Sequence, residues 1–122
     1  MAIYESGEDY LETILILQNK NGQVRSVDIA THLGYSKPSI SRAVGILKRS
    51  DYILVDEKGL ITFTDKGKAL AERIYDRHNN ISKFLMDVLG VSEENAVKDA
   101  CRIEHDLSEE TYQKMREHLL NQ

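Results

Sequence analysis

SVDIATHLGYSKPSISRAVGILK, residues 26–48, holds two short helices and the turn between them. Ser26 is a favoured N-cap residue, and Gly34 readily takes the left-handed conformation that ends a helix, so a helix over Ser26–Leu33 is predicted. Ser36 caps the next helix, with Pro38, the only proline, in its first turn, where a missing N–H does no harm. Ile40, Val44 and Leu47 recur at helical spacing and mark its buried face. Lys37, Ser39, Ser41 and Arg42 are left to point outward.

Downstream the apolar period falls from about 3.6 to about 2. Tyr52–Val55 and Leu60–Phe63 read as two strands joined by Asp56-Glu57-Lys58-Gly59. Upstream, Tyr10, Ile14 and Leu17 put a helix before the pair, closed by Asn21-Gly22. Beyond the hairpin, Thr64 caps a long helix reaching about Leu89, Ser92 caps one through about Asp106, and Ser108 caps a last one. The fold class is mainly α. Residues 1–70 are expected to form a winged helix-turn-helix of three helices and a two-stranded wing, and residues 71–122 a second, helical domain.

Composition is that of an ordinary globular chain of 122 residues, 41% hydrophobic and 30% charged. No apolar run approaches the roughly 20 residues of a membrane span. The N-terminus is acidic where a secretion signal would be basic, so a cytoplasmic protein with no membrane partner is expected. The single cysteine, Cys101, excludes an intrachain disulfide; it is either a buried filler or a reactive or metal-binding thiol. The net charge of −4 conceals an asymmetry, with residues 20–70 at +4 and the remainder at −8. A basic middle third can hold phosphates locally despite an acidic whole.

A recognition helix must present small donors and cations to base edges in a major groove about 12 Å wide. Ser36, Ser39, Ser41 and Arg42 supply these, and Pro38 offers an apolar surface to a thymine methyl. Lys58 at the hairpin tip, with Arg25 and Lys37, is placed for phosphates. The competing reading is a solvated helix face. The wing, the charge segregation and the helix-turn-helix spacing together favour double-stranded DNA. One module binds weakly, so a homodimer on a palindromic operator is expected.

A second constellation lies outside that module. Asp9 and Glu12 share one face of the first helix, His78 lies midway along the long helix, and Cys101, Glu104 and His105 form an i, i+3, i+4 stripe. Each has a bland reading: first-turn acids favoured by the helix dipole, a satisfied histidine, a packing cysteine, an exposed pair. Three good ligand types on one helical stripe favour a first-row divalent metal. A hydrolase with Cys101 as nucleophile and His105 as base lacks any evident oxyanion donors, and enzymatic activity is not expected. His32 and His118 have no such company and read as surface residues.

The chain resembles the diphtheria-toxin-repressor family of metalloregulators, most closely its short manganese-transport branch. The resemblance runs end to end through EDYLETIL, VRSVDIATHLGYSKPSISRAVGILKRSDYI, LITFTDKGKALA, YDRHNNISKFL and DACRIEHDLS. It implies that Asp9, Glu12, His78, Cys101, Glu104 and His105 bind metal, Mn(II) or Fe(II), with Co(II) and Zn(II) as further candidates in vitro. Asp9 and Glu12 match the manganese branch, whereas Cys101 matches the iron branch. Ser82 and Val97 stand where the iron branch places an ancillary carboxylate and imidazole. The SH3-like third domain is expected to be missing, since the sequence stops after the sixth helix. The C-terminal helices are implied to dimerise, making Ile81, Phe84, Leu85, Val88, Leu89, Ile103 and Leu107 core or interface. The implied function is metal-dependent repression of metal-uptake genes. A winged-helix regulator answering an organic ligand is the alternative.

Overall fold

The computed structural model describes residues 5–121. They divide into two compact units, one ending at Glu72 and the other beginning at Arg73. The elements run α1 (Glu5–Asn21), α2 (Ser26–Leu33), α3 (Lys37–Arg49), β1 (Ile53–Val55), β2 (Ile61–Phe63), α4 (Asp65–Asp87), α5 (Glu93–Ile103) and α6 (Glu109–Leu120). This is the mainly α winged helix-turn-helix order followed by helices.

In the first unit, α1 packs on α2 and α3, and the core comprises Leu11, Ile14, Leu17, Val24, Ile29, Ile40, Leu47, Ile53 and Ile61. Ile40 and Leu47 are nearly fully buried while Lys37, Ser41 and Arg42 are exposed, as helical periodicity requires. The two strands pair antiparallel, with Leu54 opposite Thr62 and Val55 opposite Ile61. Ile53 and Ile61 turn inward and Leu54 outward, the period-two alternation of a half-buried sheet. The backbone N–H of Ile61 also donates to the Val24 carbonyl at 2.8 Å, tying the wing to the segment before α2.

The start of α4 is locked onto the turn that precedes the wing. Asp51 takes a left-handed φ of 65°, which aspartate tolerates better than most residues. The Thr64 hydroxyl donates to the Asp51 carbonyl at 2.7 Å and accepts from the Gly67 N–H at 3.0 Å, so Thr64 is both cap and clasp. Gly67 is buried against Tyr52, and a Cβ there would run into the Tyr52 carbonyl.

One cap differs from expectation. Ser26 is already helical, and the cap position is Arg25, extended at φ −124°, ψ 165°. The closure comes from the acidic side: Asp28 Oδ2 accepts from the Arg25 backbone N–H at 2.9 Å. Ser36, Ser92 and Ser108 each cap their helix through the side chain, accepting from the N–H three residues on. Helix α5 stops at Ile103, short of Asp106, because the N–H groups of Asp106 and Leu107 both turn back to the Ile103 carbonyl.

The second unit closes around Ile81, Ala100 and Tyr112, with Leu85, Ile103, Leu107 and Met115 packed against them. Ile81, Leu85, Ile103 and Leu107 therefore belong to the core of this unit. Phe84 meets the His118 ring edge-on, while Leu89 remains 61% exposed. No helix among the described residues is long and apolar enough to cross a membrane.

Candidate metal centre and nucleic-acid interface

Four of the sequence-selected ligands converge within the second unit. Glu104 occupies the C-cap of α5, and its side chain is completely buried. Its Oε2 lies 2.9 Å from Nδ1 of His78 on α4. Cys101, one turn earlier on α5, brings Sγ to 3.8 Å from the same Nδ1. His105 Nε2 stands 3.4 Å from Glu104 Oε1, and its side chain is 3% exposed. Helical spacing explains the convergence: positions 101, 104 and 105 share one face of α5 or its continuation, and that face meets α4 at His78.

The electrostatics of this cluster suit a cation. A carboxylate withdrawn from water is costly unless it is paired and fully hydrogen-bonded. Glu104 Oε1 is buried and accepts no hydrogen bond, with His105 Nε2 standing 3.4 Å away. A proton shared between His78 and Glu104 satisfies one oxygen only. A divalent ion would satisfy this donor set of carboxylate oxygen, imidazole nitrogen and cysteine sulfur more completely. Cys101 is exposed, which removes the reading of it as a buried filler. Ser82 is buried and Val97 exposed, and neither is a carboxylate or an imidazole.

In the first unit, Asp9 and Glu12 lie three apart on α1, half-buried and buried respectively. Their carboxylates share a helix face. Burial pushes the Tyr10 hydroxyl pKa up, with Tyr35 and Asp9 adding to the effect.

The candidate DNA-facing residues are not all equivalent. Lys37, Pro38, Ser41, Arg42 and Lys58 are exposed. The Ser36 hydroxyl is engaged in the cap, accepting from the Ser39 N–H at 3.3 Å and donating to Ser39 Oγ at 2.9 Å; Ser39 is half-buried. Arg25 Nε donates to the Lys58 carbonyl at 3.3 Å, while Asp56 Oδ1 accepts from the N–H groups of Lys58 and Leu60, both at 2.9 Å. Arg25 thus braces the wing turn, a role no local pattern signals because its partner lies 33 residues away. Arg77 likewise donates to backbone carbonyls 27 and 30 residues away, at Glu104 and Leu107.

Two family profiles cover nearly the whole chain. The iron dependent repressor N-terminal DNA binding domain matches residues 2–60, and the iron dependent repressor metal binding and dimerisation domain matches residues 64–121. An HTH-type transcriptional regulator of Methanocaldococcus jannaschii is 33% identical over 92% of this chain and 90% of its own length. The HTH-type transcriptional regulator MntR of Geobacillus kaustophilus is 37% identical over 84% of this chain and 72% of its own. Among solved structures, the manganese regulator SloR superposes with a TM-score of 0.82 at 28% identity, covering 98% of this chain and 54% of that one. The chain spans about half the length of SloR and of the Thermoplasma acidophilum IdeR structure. It belongs to the iron-dependent repressor family, the diphtheria-toxin-repressor kind of metal-dependent, DNA-binding transcriptional repressors, and is a regulator rather than an enzyme.

Proposed function

We propose that this chain is a repressor of metal-uptake genes that binds a palindromic operator as a homodimer when Mn(II) or Fe(II) is held by Asp9, Glu12, His78, Cys101, Glu104 and His105. The observation that carries this reading is the buried Glu104 carboxylate, set between two imidazoles with one oxygen lacking a hydrogen bond. When bound, the metal supplies a divalent charge to donors drawn from both units. Asp9 and Glu12 offer carboxylates from α1, a helix of the reading head, and the other four offer oxygen, nitrogen and sulfur from the helical unit. Joining them restricts the separations available to the two recognition helices. Fewer conformations are then lost on meeting successive major grooves, an effect of about 1–3 kcal/mol for a typical coupling. Operator DNA must tighten metal binding by the same factor. Oxygen donors suit Mn(II), and the Cys101 thiolate moves preference towards Fe(II), with Co(II) and Zn(II) as softer competitors in vitro. On DNA, Arg42 and Ser41 face base edges, Pro38 lies beside them, Ser36 and Ser39 hold the helix end, and Lys37, Lys58 and Arg25 serve the phosphates. A cytoplasmic location follows from this role.

Mobility shift on a palindromic duplex, with and without Mn(II) or Fe(II) under anaerobic conditions, tests the reading. Metal is expected to tighten binding, and Glu104→Gln with His105→Ala to abolish that response while circular dichroism stays helical. Equal affinity with and without metal would transfer the switch to an organic ligand.

A further inference from the structure

We propose that Arg77 is a positioning residue of the metal centre, its guanidinium clamping the carboxyl end of α5 so that Glu104 and His105 are held in ligand geometry against α4. This inference rests on the metal reading above. Helix α5 has 11 residues and ends at Ile103, so the candidate ligands Glu104 and His105 lie where a helix runs out of internal partners. Left alone, such an end frays. Arg77 meets it at two points, Nη1 donating to the Glu104 carbonyl at 2.7 Å and Nη2 to the Leu107 carbonyl at 3.2 Å. Nη2 also reaches Glu109 Oε2 at 3.3 Å, and the guanidinium carbon sits 4.8 Å from the Tyr112 ring centroid. The side chain is only 14% exposed.

Adjacency on α4 gives these contacts their meaning. His78 holds the Glu104 carboxylate, and the preceding residue, Arg77, holds the Glu104 carbonyl. Glu104 is thereby gripped by side chain and backbone from one turn of one helix. A planar fork bonding two carbonyls three residues apart is what a guanidinium provides and an ammonium does not. A cation at the carboxyl end of α5 also complements its dipole. The ion pair with Glu109 is incidental, since Glu109 is largely exposed and such pairs contribute little.

The test is anaerobic Co(II) titration of the full chain, read by visible absorption, for wild type, Arg77→Met, Arg77→Lys, Arg77→Ala and Glu109→Gln. Arg77→Met and Arg77→Lys are expected to bind about ten- to hundredfold more weakly, with altered ligand-field bands, as for other residues that orient a metal's ligands. Glu109→Gln should stay within about twofold of wild type. Millimolar guanidinium should restore affinity and spectrum to Arg77→Ala. Folded Arg77→Met and Arg77→Lys with wild-type affinity and spectrum would overturn the proposal while leaving the metal reading intact. If the shorter variants do not fold, Arg77→Lys, which keeps stem and charge, decides alone. A wild-type chain that takes up no Co(II) overturns the metal reading and this inference with it.

Discussion

Arg42 stands exposed on α3 beyond the cap formed by Ser36, where a guanidinium can approach a base edge without disturbing the core. Arg42→Ala is expected to weaken operator binding by about 1–3 kcal/mol if it reads a base, with relaxed preference at that position, measured by mobility shift on operator variants. Arg25→Ala should act differently. Its guanidinium braces the Lys58 carbonyl, so the loss falls on wing order and should appear as a uniform drop across sequences. Glu109 carries a pH signature. The Gln113 amide, donating at 2.8 Å, holds its carboxyl below the ordinary range; burial opposes this, and Arg77 and Arg73 add to the lowering. A depressed folded value stabilises the fold above the usual carboxylate titration, and this is lost as pH falls through the depressed value. Melting curves of wild type and Glu109→Gln should therefore differ slightly near neutrality and converge in acid. At this scale the clustering of Cys101, Glu104 and His105 was legible in the sequence because the three fall on one helical stripe. The exposure of Cys101 was not, since neighbours in sequence do not say which elements cover a side chain.

The junction between wing and α4 depends on a few backbone contacts. Gly67 faces the Tyr52 carbonyl so closely that any side chain must move the turn or the helix. Gly67→Ala is expected to cost about 1–3 kcal/mol by overpacking, read by chemical denaturation. Thr64→Ala loses both the cap to Gly67 and the bond to Asp51, and should cost about 1–2 kcal/mol. Helix existence, order and most caps were predictable here because Ser, Thr, Gly and Pro act within three or four residues. The α2 cap was misplaced by one residue because Asp28, reaching back to the Arg25 N–H, outweighs Ser26 as the local closure. The early end of α5 had no local cue. It follows from the turn at Ile103, and Arg77, 27 residues before Glu104 and 30 before Leu107, takes up carbonyls there.

Across the molecule, association and metal binding should be visible as linked equilibria. Leu89 is a large apolar side chain left 61% exposed on the unit matched by the dimerisation profile. Leu89→Glu is expected to shift the chain towards monomer, measured by sedimentation, and to weaken operator binding in step. Saturating metal at about a hundredfold its dissociation constant should stabilise the fold by about 2.7 kcal/mol, seen as a raised melting temperature that chelator reverses. By itself the sequence determined the element order and the winged helix-turn-helix, because caps, periodicity and turn residues act over a few positions. Only tertiary structure decided which carboxylate loses its water, which arginines hold distant backbone carbonyls, and which apolar side chains stay uncovered. Those outcomes depend on burial and on bonds between residues some thirty apart, where no local pattern reaches.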